Sequence, residues 1–270
     1  MSATVAQKRE AEPVGGTTTR SGRLGALARA ELTLLVRNRT TLFVALFVPV
    51  GLIASAQYSL RSADLDDIAM SGLEIALTGG IGMVLLMVVY SNLTSAYTAR
   101  REELVLKRLR TGEVSDPEIL TGTALPAATL ALAQCVLLVV AGAAFLDVSA
   151  PQRPELLVLG VLAGIGLMAA LAAATASYTR TVESAQITTL PLFLLSAVGS
   201  GLFLPLEVLP DKIASICELL PMTGVVTLVR VGWLGDAASG DLVGAGLNTL
   251  AWAVLAVFAV KRWFRWEPRR

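Results

Sequence analysis

The sequence predicts an all-α fold: a polytopic membrane protein with six transmembrane helices, an N-terminal interfacial amphipathic helix and short re-entrant outer helices before the last span. Two observations lead to this prediction. Hydrophobic residues make up 54% of the 270 positions and charged residues only 16%, which is too apolar for a water-soluble domain of this length. Several apolar runs also reach about 20 residues, enough to cross roughly 30 Å of hydrocarbon as helices.

The apolar runs predict spans near residues 41–58, 73–97, 124–146, 156–178, 187–204 and 242–260. They are rich in Leu, Val and Ala and lack the alternation of barrel strands. Because a backbone in lipid must satisfy its own hydrogen bonds, they are predicted to be helices. The spans form one domain, residues 40–263. It is flanked by a tail predicted to be disordered (1–22), an interfacial helix (23–39) and a short cytoplasmic tail (264–270).

The distribution of positive charge predicts the orientation, because cytoplasmic flanks carry the excess of Lys and Arg. With both termini inside the cell, most of the 22 basic residues lie on inner segments. The predicted outer loops hold only Arg61, Arg153, Lys212 and Arg230, and they are otherwise acidic. No short apolar region ending in a cleavage site occurs near the N-terminus, so we expect an uncleaved first span.

A charged connector, residues 98–123, separates two apolar runs. A bilayer core does not accept this density of charge without partners, so the segment is predicted to be exposed to water on the inner face. A charged helical connector of this kind can dock a soluble partner, or it can be a solvated loop. Its charged residues include Arg100, Arg101, Glu102, Glu103, Lys107, Arg108 and Arg110.

Two further segments have a mixed character. Before the first span, apolar residues recur at helical spacing with arginines opposite, which is typical of a helix on the inner membrane surface. Glu31 interrupts its apolar face and either pairs with a neighbouring Arg or contacts a partner. After the fifth predicted span, residues 205–234 combine three prolines with apolar helical spacing. This pattern favours short helices that dip into the outer leaflet and return, with an ordinary structured loop as the alternative.

Several chemistries are excluded by the composition. The chain has no histidine, which removes Ser-His catalysis and His-based zinc sites, and we expect no metal site and no enzyme activity. It also lacks the P-loop motif, so another polypeptide must handle any ATP. Cys135 is placed within a span and Cys217 on the outer side, so no disulfide between them is expected. The predicted spans carry no chain of carboxylates or lysines for an ion relay.

Three segments together resemble the permease subunits of the ABC-2 type exporter family. The first is LARAELTLLVRNRTTLFVALFVPVGLI, with Arg37 before a span that contains Pro49. The second is YTARREELVLKRLRTGEVSDPEILTGTAL, in which an Arg-Glu pair precedes a helix and the third span. The third is LFLPLEVLPDKIASICELLPMTGVVTLVR, the proline-punctuated outer segment. Where the family often has Gly-Thr after the Arg-Glu pair, this chain has Leu104 and Val105.

The resemblance implies a docking role for the connector. Members pair with separate ATP-binding subunits, so we expect two copies of such a subunit, which would bind ATP and Mg²⁺, and no cofactor in this chain. The helix around residues 101–109 would then be a coupling helix inserted into a groove of the ATPase. The apolar residues Leu104, Leu106 and Leu109 are expected to pack against the partner, and the charges of Arg101, Glu102, Glu103, Lys107 and Arg108 to contact it.

The resemblance also implies two facing permease subunits, identical or related, with substrate passing between their first, second and fifth spans. On the fifth span Thr189, Phe193, Ser196, Ser200 and Phe203 are spaced to share one face. On the second span Met83, Met87, Tyr90 and Thr94 are spaced likewise, with Ser91 and Asn92 nearby. A face of this mixed kind suits an amphiphilic substrate, although Ser and Thr also join neighbouring helices.

At the outer surface Glu207, Asp211 and Glu218 are predicted to lie near an exit gate. The leading function is the permease of an ATP-driven exporter for a drug, antibiotic or lipid-like compound in a bacterial plasma membrane, in contact with membrane lipids and with no nucleic-acid partner. Export of a polysaccharide or cell-envelope glycolipid is the alternative within the family. A membrane scaffold that docks a soluble protein and an ion-coupled carrier are the alternatives outside it.

Overall fold

The computed structural model describes residues 33, 51, 72–106, 115–145, 148–203, 206–235, 239–264 and 266. Several predictions fall elsewhere in the chain. The interfacial helix with Glu31 and Arg37, the first span at 41–58, and the connector residues Lys107, Arg108 and Leu109 lie outside the described residues.

The described residues form helices and no strands. The first long helix consists of α1 (Gly72–Val84), a π-helical segment (Leu85–Ser91) and α2 (Asn92–Glu102). It is followed by α3 (Asp116–Phe145), α4 (Pro154–Tyr178), α5 (Val182–Gly199), a 3₁₀ turn (Leu206–Val208), α6 (Asp211–Glu218), α7 (Thr223–Leu234) and α8 (Ser239–Trp263). The all-α membrane fold predicted from the sequence is confirmed.

Five of these helical stretches are long and apolar enough to cross a membrane. They are α1–α2, α3, α4, α5 and α8, and they coincide with the last five predicted spans. The helices α6 and α7 also have the composition of a span, but they meet at an angle of 98°. This bend makes them a broken span or a re-entrant hairpin, as the prolines of the segment predict.

Local sequence signals set the ends of several helices. Thr181 precedes α5 in a capping box, in which its hydroxyl accepts a bond from the Ser184 N–H and the Ser184 hydroxyl accepts one from the Thr181 N–H. At the start of α3, a Glu118 carboxylate oxygen accepts bonds from the N–H of Ser115 at 2.9 Å and from its hydroxyl at 2.8 Å. At the end of α7, Gly235 takes a φ of 78°, a left-handed conformation that suits glycine.

The π-helical segment interrupts the second predicted span near its middle. The N–H of Asn92 bonds to the carbonyl of Met87, five residues earlier instead of four. A π turn holds more residues than an α turn, so it rotates every later side chain relative to the earlier ones. The apolar periodicity indicates a regular helix there and carries no sign of this change.

Helix α4 lies at the centre of the described bundle. It packs against α7, α8 and the long helix α1–α2, while α3 and α5 pack on the sides of that long helix. The core contains Leu85, Tyr90, Met168 and Trp233. The outward faces of α3, α5 and α8 are apolar and exposed, as at Val136, Val198 and Val254, which is typical of helices that contact lipid.

Two glycines of α4 allow this close packing. A Cβ added to Gly160 would lie 3.1 Å from the Leu228 Cβ, and one added to Gly164 would lie 2.6 Å from the Leu85 Cδ1 and 2.8 Å from a Val225 methyl. The G-x-x-x-G spacing of the sequence is thus used to bring α4 against α7 and the π-helical segment.

We predict that Gly164→Leu lowers stability by about 1–3 kcal/mol, because it overfills this contact. Gly166→Leu is the matched control, since that position is exposed and has open space around it. Thermal unfolding of the detergent-solubilised protein measures the difference. Equal midpoints for the two variants would contradict the packing described for α4.

Candidate functional site

The connector leaves the bundle at the end where α2 and α4 finish and α3 and α5 begin, which we call the connector end. The opposite end carries α6 and α7 and is called the hairpin end. Both ends contain breaks in regular helix.

The Arg101 side chain turns inward from the last turn of α2. Its guanidinium donates to the carbonyl of Ala176 at 2.7 Å and to the carbonyl of Thr179, at the end of α4. The side chain is 1% exposed. These carbonyls have no partner within their own helix, and the negative end of the α4 dipole favours a cation there. Arg101 was expected to contact a partner protein, whereas in this structure its charged group binds within the chain.

The next residues form an exposed corner. Helix α2 ends at Glu102, and the Leu104 N–H bonds back to the Arg101 carbonyl at 3.1 Å. Leu104 has a φ of 59°, an uncommon conformation for a bulky side chain, and it turns the chain away from the helix axis. Glu102, Glu103 and Leu104 are exposed. The corner therefore presents two carboxylates and one apolar side chain to the surroundings.

Leu106 lies beyond this corner and is fully buried. The sequence pattern grouped it with Leu104 as a side chain that packs against a partner. The structure corrects this expectation for Leu106, because its side chain is already buried within the chain. Leu104 is 40% exposed and remains available.

Two hydrogen bonds fasten the end of α2 to the beginning of α3. The Tyr97 hydroxyl donates to the Leu120 carbonyl at 2.9 Å. The Arg100 guanidinium donates to the Thr123 hydroxyl at 3.2 Å. Together with the bonds of Arg101 to α4, they attach the exposed corner to three helices.

The predicted pathway face of α5 is mostly directed into the chain's own interior. Thr189, Ser196 and Ser200 are buried, and Phe193 is partly buried against the core. Phe203, beyond the end of α5, is 62% exposed. The five residues therefore do not form one surface of the isolated chain, and their contact with a substrate stays a prediction.

The predicted face of the second span is divided by the π-helical segment. Met87 is 49% exposed, whereas Tyr90 and Thr94 are buried and bonded internally. The Tyr90 hydroxyl pairs with that of Thr175 at 3.1 Å, and the Thr94 hydroxyl donates to the Tyr90 carbonyl at 2.7 Å. The prediction that Met87 shares a face with Tyr90 and Thr94 is wrong, because it assumed a regular α-helix.

Two neighbouring polar residues of the same region differ in exposure. Asn92 is exposed and Ser91 partly exposed, so the π-helical segment places polar groups on the outer side of an otherwise apolar helix. An amide facing hydrocarbon is costly. This position is therefore a candidate contact for a partner or a substrate.

The hairpin is held by side chains that satisfy the carbonyls at its bend. Three donors reach them: Thr223 Oγ1 to Cys217 at 2.6 Å, Asn248 Nδ2 to Glu218 at 2.8 Å and Trp252 Nε1 to Leu219 at 2.8 Å. Carbonyls at a helix end have no partner within the helix, so donors from elsewhere satisfy them. Asn248 and Trp252 are not among the residues predicted from the sequence, although polar groups four residues apart in an apolar span are a signal for this role.

The three residues predicted at the outer gate lie in this region. Asp211 and Glu218 are exposed at the first and last positions of α6, and Glu207 belongs to the 3₁₀ turn. The apolar side chains Ile213, Ile216 and Leu219 are exposed on the same short segment. A gating role for the acidic residues stays a prediction.

These features define a class: a multi-pass helical membrane protein with a charged connector at one end and a broken, side-chain-capped hairpin at the other. The family model described as ABC-2 type transporter matches residues 23–234. The chain therefore belongs to the ABC-2 type transporter family, and it is a membrane permease component of an ABC transporter. A comparison with curated proteins gives no significant match.

We predict that Trp252→Phe destabilises the hairpin by about 1–3 kcal/mol, because it keeps the ring but leaves the Leu219 carbonyl without this donor. Trp263→Phe is the control, since Trp263 is exposed and makes ring contacts with Tyr178 and Phe258. Limited proteolysis at residues 206–220 in lipid nanodiscs measures the effect. Equal cleavage rates in the two variants would argue against the cap.

Proposed function

We propose that this chain is the membrane subunit of an ATP-driven exporter that moves an amphiphilic small molecule out of a bacterial cell. The exposed corner Glu102–Leu104 is the observation that supports this most directly. It is attached by hydrogen bonds to the ends of α2, α3 and α4. It also exposes two carboxylates, which are costly in contact with lipid and therefore suit a contact with water or a soluble partner. Family membership supplies the partner class, because ABC-2 permeases generally pair with ATP-binding subunits.

In this proposal the connector end faces the cytoplasm, as the distribution of Lys and Arg predicts. Two copies of the ATP-binding subunit bind ATP and Mg²⁺, and each engages one corner. Glu102 and Glu103 contact basic groups of the ATPase, while Leu104 fills an apolar depression between them. Lys107, Arg108 and Leu109 extend the same contact. Arg101 contributes indirectly, by holding the corner on α4.

Two permease subunits then enclose the substrate pathway. Met87 and Asn92 are exposed residues of the second span, and Phe203 is exposed at the hairpin end. In this proposal all three face the second subunit. An apolar thioether, an amide and an aromatic ring on one route suit a substrate with both apolar and polar parts. The hairpin closes the exit, with Asp211 and Glu218 at the water boundary.

The experiment that tests this function is transport by the complex of this chain with its ATPase. Inside-out membrane vesicles containing both subunits are expected to accumulate a fluorescent amphiphile when ATP is supplied. Accumulation driven by a proton or sodium gradient without nucleotide would identify an ion-coupled carrier instead. A bound ATPase whose turnover drives the movement of no small molecule would identify a scaffold or a polymer exporter.

We predict that Glu102→Lys with Glu103→Lys lowers ATP-driven transport at least about tenfold, because each reversal replaces attraction by repulsion at a charged interface. The thermal midpoint should stay unchanged, since both side chains are exposed. Glu155→Lys is the control: it reverses an exposed carboxylate at the hairpin end. Full transport by the double variant would contradict the role of the corner.

A further inference from the structure

We propose that Arg101 and Arg230 are positioning residues that clamp the two ends of α5, so that α5 carries movement from the connector to the hairpin. The inference rests on the proposed function, since the movement originates in an ATPase bound to the connector. It assigns a role to Arg230, which the charge distribution placed in an outer loop, and a transmitting role to α5.

The clamp at the connector end joins α2 to the turn between α4 and α5. Arg101 reaches from α2 to the carbonyls of Ala176 and Thr179. Thr179 is followed almost at once by Thr181, whose side chain caps α5 in the capping box. A displacement of the α2 end is therefore passed to the first turn of α5 through residues 179–181, which are hydrogen-bonded to Arg101 on one side and to α5 on the other.

The clamp at the hairpin end joins α7 to the chain leaving α5. The Arg230 guanidinium, carried by α7, donates to the carbonyl of Gly201. Gly201 has a φ of 76°, a left-handed conformation that ends the helix and turns this carbonyl away from its axis. The guanidinium thus caps the end of α5 in the way that Arg101 caps the end of α4.

Close packing reinforces the hairpin clamp. An added Cβ at Gly82 would lie 3.0 Å from the Leu202 Cγ, and one at Gly79 would collide with the Leu202 carbonyl. On the other side, a Cβ at Gly199 would collide with the Leu220 Cδ1, just beyond α6. The chain leaving α5 is therefore packed closely between α1 and the hairpin.

Between its two ends, α5 is less constrained. It packs on the π-helical segment, on α2 and on α4, while Ile187, Leu194 and Val198 on its other side are exposed. A helix held firmly at both ends and exposed along one side is suited to shift as a rigid rod.

Arginine is the residue type that this role requires. Burying a cation inside a protein is costly, and carbonyls at a helix C-terminus offset that cost because they carry partial negative charge. The planar guanidinium of Arg101 spans two carbonyls at once, whereas a lysine ammonium has no such fixed fork. Lysine variants should therefore retain only part of the function.

The first experiment tests the clamp in the chain alone. Spin labels are placed at Val198→Cys, near the end of α5, and at Asp241→Cys, both exposed. Cys135 and Cys217 are replaced by Ala, and distances are measured in nanodiscs. Arg230→Met is expected to broaden the distance distribution about twofold, since a frayed helix end samples more conformations. Arg153→Met, which changes an exposed arginine at the same end, should leave it narrow.

The second experiment tests transmission in the complex with the ATPase. In the labelled complex with both arginines intact, ATP binding is expected to shift the distance between the same two labels. Arg101→Met, at the far end of α5, should abolish that shift without broadening the resting distribution, and it should lower transport about tenfold. Arg101→Lys should restore part of the shift. Arg180 is an exposed arginine in the turn between α4 and α5. The Arg180→Met variant should show the same shift as the labelled complex without this substitution.

The outcomes separate the inference from the proposed function. An unchanged resting distribution in Arg230→Met overturns the clamp, and a full ATP-dependent shift in Arg101→Met overturns the transmission. A bound, active ATPase that produces no shift in the unmodified complex contradicts the transmission alone. Failure of the unmodified chain to bind any ATPase contradicts the proposed function, and the transmission with it.

Discussion

The backbone carbonyls at helix ends and breaks are the groups on which this structure depends most. At the ends and breaks of packed helices they lack a partner within their own helix, so donors from elsewhere in the protein satisfy them. The chain meets this requirement with side chains from distant helices: Arg101 at the end of α4, Arg230 beyond α5, and Asn248 and Trp252 at the bend of the hairpin. Each donor ties two elements together.

This requirement links stability to function. A bundle of simple spans with uncapped ends in water would need no such cross-links, and its helices could slide independently. At the end of α4, beyond α5 and at the bend of the hairpin, a carbonyl is bonded to a donor on a neighbouring helix. A movement at one of these places therefore displaces that neighbour as well. The exposed corner Glu102–Leu104 lies directly beside the first of these cross-links, so in the proposed function the force of the ATPase enters the bundle there.

Close contact between helices adds the second constraint. Lipid chains are as apolar as leucine, so helices in a membrane are held together by packing as well as by polar contacts. Gly160 and Gly164 let α4 approach α7 and the π-helical segment, and Gly79 and Gly82 do the same for the chain leaving α5. The central position of α4 follows from these small residues.

The described spans could be predicted from the sequence alone, because length and apolar composition decide whether a helix can cross a membrane. The prolines of residues 205–234 likewise predicted the broken hairpin. Side-chain direction was not predictable. Arg101 and Glu102 are adjacent and each carries one charge, yet Arg101 is buried and Glu102 is exposed. The difference arises because the end of α4 lies where the Arg101 side chain can bond to it, which the sequence does not reveal. The division between Met87 and Tyr90 depends on a π turn that leaves no periodic signal.

Photo-cross-linking from the exposed corner tests the central claim most directly. A photo-reactive amino acid in place of Leu104, introduced in cells that produce the chain with its neighbouring proteins, should form an adduct with a P-loop ATPase. The same amino acid in place of Leu219, an exposed leucine of the hairpin, should form none with that protein. An ATPase adduct from residue 219, or its absence from residue 104, would contradict the account.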